Sequence, residues 1–299
     1  RLVDWEIWNR PNKETVNGFT HFAVKAEDEA GVVDARVLRG DTVQDYYGEM
    51  HLNQVAYSYG QGPHRGTMAG ARHFADVQMR AFYPIAEVHY RDEKFPGSVR
   101  MRAFNPFIPT NDLDSSIPAA FFEVELTNTT ARPLSYTLAF SCGNPFEKGQ
   151  VNQAVPGGAL LTTNAFGAQD PRFGEMTVAT DAPGARVQEY WYRGGWFDEL
   201  TTFLREFNRP GDLKARHYDQ PRDGRQDMCT VSARMEIKPG QRETVRFVLA
   251  WYVPTVEKYW DERKPTWRNY YCKRFSGAQA VAEYTLANFS RLYEETARF

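Results

Sequence analysis

Cysteine is scarce in this sequence: Cys142, Cys229 and Cys272 are the only three in 299 residues, and they stand far apart. No Cys-x-x-Cys pair or Cys/His cluster has zinc-site spacing, and a disulfide framework is implausible in so large a domain. Reduced, buried thiols and a reducing, cytoplasmic compartment are therefore expected. Histidine is nearly as rare. His51, His64, His73 and His89 fall within one stretch, but their spacings match no ligand motif, so neither a metal site nor any other cofactor is expected. An excess of one charge is also missing. The formal net charge is −2, which leaves no basic footprint for a nucleic acid partner. Long apolar runs are absent too, since a stretch such as Phe247 to Trp251 is far too short to span a bilayer. There is no fixed-period repeat, no low-complexity tract and no linker. Gly60, Gly62 and Gly66 lack the lysine and following Ser/Thr of a phosphate loop and read as a flexible segment. Asn128-Thr129-Thr130 and Asn288-Phe289-Ser290 match the glycosylation sequon, but chance occurrence is the preferred reading, since the cysteines point to a reducing compartment.

What the chain does have is aromatic residues, at 14% of the total, in an otherwise ordinary globular composition. Core packing accounts for most of such rings; stacking on sugars is the functional alternative. Period-two alternation dominates the first two thirds. Phe122, Val124 and Leu126 share one face of an expected strand over 120–126, and a second runs over 134–140, past a polar turn containing Pro133. The two are expected to pair in antiparallel fashion. Val231, Ala233, Met235 and Ile237 alternate up to a Pro239-Gly240 turn, after which Val245, Phe247, Leu249 and Trp251 alternate again. Many strands ending in turn residues predict a large two-sheet antiparallel β-sandwich, with Phe122, Val124, Leu138, Phe247, Leu249 and Trp251 in its core. Long loops are expected over 60–70 and 156–167, where glycine and proline cluster. Helical spacing appears at Phe197, Leu200, Leu204 and Phe207, and again at Ala278, Val281, Ala282, Leu286, Phe289, Leu292 and Tyr293. The expected organisation is a sandwich over 1–275 followed by a helix over 276–299, with no glycine cap to stop it.

The segment from Pro84 to Val88, then Ala103-Phe104-Asn105-Pro106-Phe107-Ile108-Pro109 and Asp114-Ser115-Ser116-Ile117-Pro118, resembles the N-terminal domain of glycoside hydrolase family 116. The likeness extends back to Asp4 through Pro11 and forward to Phe247–Trp251, Trp267–Tyr271 and the terminal helix. It is loosest over 149–228, and the glycine-rich segment that usually precedes Trp5 is missing. The resemblance implies a parent enzyme of the β-glucosidase or non-lysosomal glucosylceramidase type, acting on a β-glucoside. Its catalytic domain would be a separate (α/α)6 barrel, joined in cis or cleaved, carrying a glutamate nucleophile and an aspartate acid/base. No residue here corresponds to those two, so no catalytic residue is carried over.

Alternatives remain among the residues themselves. Asp112 and Asp114 form a carboxylate pair in a turn-forming segment, where bonding to local backbone is the better reading. Trp191, Tyr192 and Trp196 are the candidates for sugar contact, with packing as the competing role. A stand-alone carbohydrate-binding module is a second function class. An aldose-epimerase-like enzyme is a third, resting on His89 and Glu87 sharing one strand face for acid–base work.

Overall fold

The computed structural model describes residues 19–40, 68, 70–195, 198–222 and 224–299. Fifteen strands are described, and thirteen of them build two large sheets. The first sheet is made by β1 (His21–Asp28), β2 (Gly31–Val37), β7 (Leu134–Gly143), β11 (Arg186–Gln188) and β12 (Met228–Ile237), in the order β11-β12-β7-β1-β2. The second comprises β3 (Asp76–Phe82), β4 (Ile85–Arg91), β5 (Ser98–Phe104), β6 (Ala119–Thr127), β8 (Gln150–Val155), β9 (Gly158–Thr163), β10 (Glu175–Thr180) and β13 (Arg242–Tyr252). Their order is β3-β4-β5-β6-β13-β10-β9-β8. A separate ribbon pairs β14 (Thr255–Glu257) with β15 (Thr266–Arg268). Every pairing among these described strands is antiparallel, as the alternating pattern predicts.

The core lies between the sheets. Phe22 of β1 stacks on Phe140 of β7 with centroids 4.0 Å apart, and meets Phe122 and Phe247 of the opposite sheet at 5.3 and 5.5 Å. Val124, Leu138, Phe247 and Leu249 are fully buried there and Phe122 nearly so. Trp251, expected beside them, faces the same way but lies one step from the strand end and is only half-buried.

The two expected strand pairs form differently. β6 pairs with β5 and β13, whereas β7 pairs with β1 and β12, so the turn between β6 and β7 crosses from one sheet to the other. The Pro239-Gly240 turn between β12 and β13 is a second such crossing. Alternation assigns faces, not partners, and both crossings keep the apolar row turned inward. Asn128 joins them. It is fully buried, its Nδ2 donates to the carbonyls of Arg132 and Ile237 at 2.8 Å each, and its Oδ1 accepts from Thr130 N and Oγ1. An amide so engaged is unavailable to a glycan.

A hairpin replaces most of the expected 156–167 loop. β8 and β9 are joined by Pro156-Gly157, with Gly157 in the left-handed region at φ 72° that suits glycine. Cys142 and Cys229, distant in sequence, are cross-strand neighbours. Both are thiols, and burial pushes Cys142 up to about 12.

Helices cover the outer faces. Helix α2 (Asp198–Phe207) lies on the first sheet, burying Leu200, Phe203 and Phe207 against Ala23, Val37 and Ala139. Its exit is held by buried Lys25, whose Nζ donates to the carbonyls of Arg209 (2.7 Å) and Gly211 (2.5 Å). The expected terminal helix is two helices, α3 (Ala278–Ala287) and α4 (Phe289–Ala297), broken at Asn288. Thr285 Oγ1 and Asn288 Nδ2 donate back to the carbonyls of Val281 and Tyr284 within that last turn, a local competition with the helical ladder. Val281, Ala282, Phe289 and Leu292 are buried on the outer face of the second sheet; Leu286 and Tyr293 are half-buried at its edge.

Candidate functional site

The outer face of the second sheet is divided by strand register. One cross-strand row runs Phe82, Ile85, Phe104, Phe121 and Val248. Most of it lies beneath α3 and α4, where Phe289 sits 5.5 Å from Phe104 and 5.4 Å from Phe121. Two residues along each strand the next row is Arg80, Glu87, Arg102, Glu123 and Arg246, alternating in sign. Beyond it come Gln78, His89, Arg100, Glu125 and Thr244. Opposite charges placed side by side across strands attract, so sequence alternation becomes an ionic lattice.

Within this lattice Glu87 and His89 are brought together, with Nε2 2.7 Å from Oε1. Arg102 Nε donates to Glu87 Oε2 at 3.1 Å, and Arg100 Nη1 lies 3.8 Å from the same oxygen. Burial alone would raise the Glu87 pKa; the bonds from His89 and Arg102 outweigh it and hold the carboxyl below its usual range. Such a carboxylate is a weak proton acceptor. Arg102 also donates to Glu123 Oε1 at 3.0 Å, and Arg246 donates to Glu123 Oε2 at 3.2 Å. Arg100 holds Glu125 at 2.9 Å. Two of these guanidiniums border the helices, Arg246 lying 4.7 Å from the Phe289 ring centroid and Arg102 5.7 Å from that of Tyr293.

Asp112 and Asp114 part company. Asp112 is exposed in the first turn of α1 (Asp112–Ser115), whereas Asp114 is buried. The cap is Asn111, whose side chain accepts from Asp114 N at 3.1 Å. The Asp114 carboxylate accepts one local bond, from Asn111 Nδ2 to Oδ2 at 3.1 Å, and also reaches distant partners: Arg274 Nη2 (3.1 Å) and Tyr284 OH (3.0 Å) donate to Oδ1, and Arg291 Nη1 (2.9 Å) to Oδ2. Burial raises its pKa, but the bonds from Arg291, Arg274 and Tyr284 overcome that and lower it to about 2. Asp114 therefore fastens the β5–β6 crossover to the terminal helices. Sequence spacing showed the carboxylate but not these partners, 160 to 177 residues away.

Of the sugar-contact candidates, Trp191 and Tyr192 differ in environment. Trp191 is buried, its Nε1 donating to Thr230 Oγ1 at 2.8 Å while its ring stacks on Phe203 at 4.2 Å and on Phe19 at 6.2 Å. Tyr192 presents its ring to solvent. Trp196 lies outside the described residues, as do His51 and His64. Among the described residues no three His, Cys, Asp or Glu side chains converge as a metal site, and no helix is long and apolar enough to cross a membrane.

The structure is thus a two-sheet sandwich with helices on both outer faces and an ionic lattice beside the terminal helices. The family model described as beta-glucosidase 2, glycosyl-hydrolase family 116 N-terminal domain, matches residues 1–292, so the chain belongs to that family. No curated protein matches it significantly. Among solved structures it resembles a polysaccharide lyase at 11% identity and TM-score 0.38, over 84% of this chain and 29% of the other. A protein described as a kojibiose phosphorylase from the human microbiome matches at 9% identity and TM-score 0.34, over 75% of this chain and 25% of the other. One described as an aldose 1-epimerase from Escherichia coli K12 matches at 9% and 0.34, over 81% and 82%. The chain thus spans under a third of the length of the first two.

Proposed function

We infer that this chain is the non-catalytic N-terminal sandwich of a retaining β-glucosidase or glucosylceramidase, packing on a separate catalytic domain and shaping its mouth. The observation that carries this reading is the saturation of its best-placed carboxylates. Glu87 is held by His89 and Arg102, and Asp114 by Arg274, Tyr284 and Arg291. A retaining glycosidase needs two carboxyls roughly 5 Å apart, one free to attack and one free to give and take a proton. Carboxylates locked by guanidiniums meet neither need; they hold a surface rigid. The test is hydrolysis of p-nitrophenyl β-glucoside by the purified 299-residue chain. No turnover above background is expected. Turnover abolished by Glu87→Gln or Asp114→Asn would overturn the reading.

A further inference from the structure

The two ends of the sandwich differ in character. At one end lie the β4–β5 turn (92–97), the inter-sheet crossings (128–133 and 238–241) and the β8–β9 turn (156–157). Among the described residues, none of the large hydrophobic side chains exposed to solvent falls in those turns. At the other end lie the β3–β4 turn, the β5–β6 crossover, the departure of β13 into the β14–β15 ribbon, and the tail of α4. Register places them together, because Phe82, Ile85, Phe104 and Phe121 are successive partners there and Ala119 pairs with Ala250. Phe107 of the crossover donates its backbone N–H to Thr296 Oγ1 of α4. This end carries exposed Tyr83, Leu113, Tyr259, Trp260, Trp267 and Tyr270, at 45 to 79% of full exposure.

These side chains are tied into one structure. Tyr83 meets the Phe107 ring at 5.4 Å. Phe107 leads through Ile108, whose N–H donates to Ser115 Oγ, to Leu113. Leu113 and Tyr270 both line a cavity of about 320 Å³, together with Tyr271, Arg274 and Phe275. From Tyr270 the chain runs back into the ribbon that bears Trp260 and Trp267. A two-stranded ribbon is marginal in water by itself, and isolated domains seldom expose so many rings on one end.

We propose that this aromatic end is the seat of the catalytic domain. The inference rests on the functional reading above and adds the surface. The occupant follows from two observations. The chain belongs to a family whose matched region is described as an N-terminal domain, so a second domain is the expected neighbour. The rings also spread over three connections and a ribbon, a breadth suited to a folded domain rather than to one short sugar. Charge narrows the partner further. Residues 255–274 hold six Lys and Arg against three Asp and Glu, in a chain of net charge −2. Asp261 pairs with Lys258 and Arg263, Glu257 with Lys264, and Arg274 with Asp114, so the positive excess rests on Arg268 and Lys273. The partner face should be apolar with an acidic rim.

Hydroxyl-radical footprinting, read by mass spectrometry on the 299-residue chain and on the intact gene product, tests this. Oxidation of Tyr83, Trp260, Trp267 and Tyr270 is expected to fall about fivefold or more in the intact protein, as for side chains at the centre of an interface. Tyr192, exposed elsewhere, should be labelled equally in both. Equal labelling of the four rings, with protection moving to the His89 face, would overturn the proposed seat while leaving domain pairing intact. A gene product with no second domain would overturn both. A cello-oligosaccharide that protects the rings in the 299-residue chain, where the intact protein shows no further protection, would make this end a sugar platform and reject the seat.

Discussion

Replacing Asp114 with asparagine removes the charge on which two guanidiniums and a phenol converge, while keeping the side chain's size. The new amide can still accept at its oxygen, but its NH2 faces donors of Arg291 or Arg274 instead of an acceptor. The depression of the carboxyl from 3.8 to about 2 gives the size of the effect, about 2 kcal/mol at neutral pH. Arg274 and Arg291 both remain partly solvated, so the cost stays below the 3–5 kcal/mol range typical when a fully buried pair is broken. For a chain of this size the melting temperature should fall by about 4–6 °C, whereas Asp112→Asn should change stability by less than about 0.5 kcal/mol. The pH dependence is distinctive. The folded pKa lies below the unfolded value, so the stabilisation is complete above about pH 4 and disappears as pH falls toward 2. The gap between wild type and Asp114→Asn, followed by urea unfolding across that window, should close from about 2 kcal/mol to near zero. A gap below 0.5 kcal/mol at pH 7, or one unchanged by acid, would refute the fastening role.

Other perturbations address other parts of the fold. Phe22→Ala, at the centre of the inter-sheet ring cluster, should cost about 3–5 kcal/mol in denaturant unfolding. Phe289→Ala should cost a similar amount, about 3–5 kcal/mol, if α4 belongs to the sandwich, and an unchanged melt would mean that the helix is not docked. Buried His21, held neutral with its pKa down to about 4, titrates in the opposite sense to a salt-bridged histidine. The unfolded chain binds the proton first, so stability should drop as pH falls from about 6.5 to about 4, and His21→Gln should flatten that slope. A wild-type slope unchanged by the substitution would assign it to other groups.

Faces were easier to read from sequence than partners were. Alternation over 120–126 and 244–252 gave the inward residues, because a pleated strand can bury only every second side chain. It could not show that the chain changes sheets at Asn128 and again at Pro239-Gly240, since hairpin turns and inter-sheet crossings use the same residue types. Gly157 and Gly158 looked like loop residues, yet one supplies a left-handed turn. The other has no room for a Cβ, which would lie 2.1 Å from the carbonyl oxygen of Val178. Aromatic clustering around residue 191 likewise gave no sign of which ring is spent on Thr230 and Phe203 and which faces water. The Glu87–His89 pair was legible as neighbours on one face. Its arginine cage was not, because Arg100 and Arg102 arrive from the next strand.

The most direct test of a supporting, non-catalytic role uses the intact gene product carrying Glu87→Gln together with His89→Gln. Both residues sit in the charged lattice of this domain, so kcat/KM toward an aryl β-glucoside should stay within about twofold of wild type. A loss of about a thousandfold or more with an unchanged melting temperature would place acid–base chemistry in this domain and contradict the account.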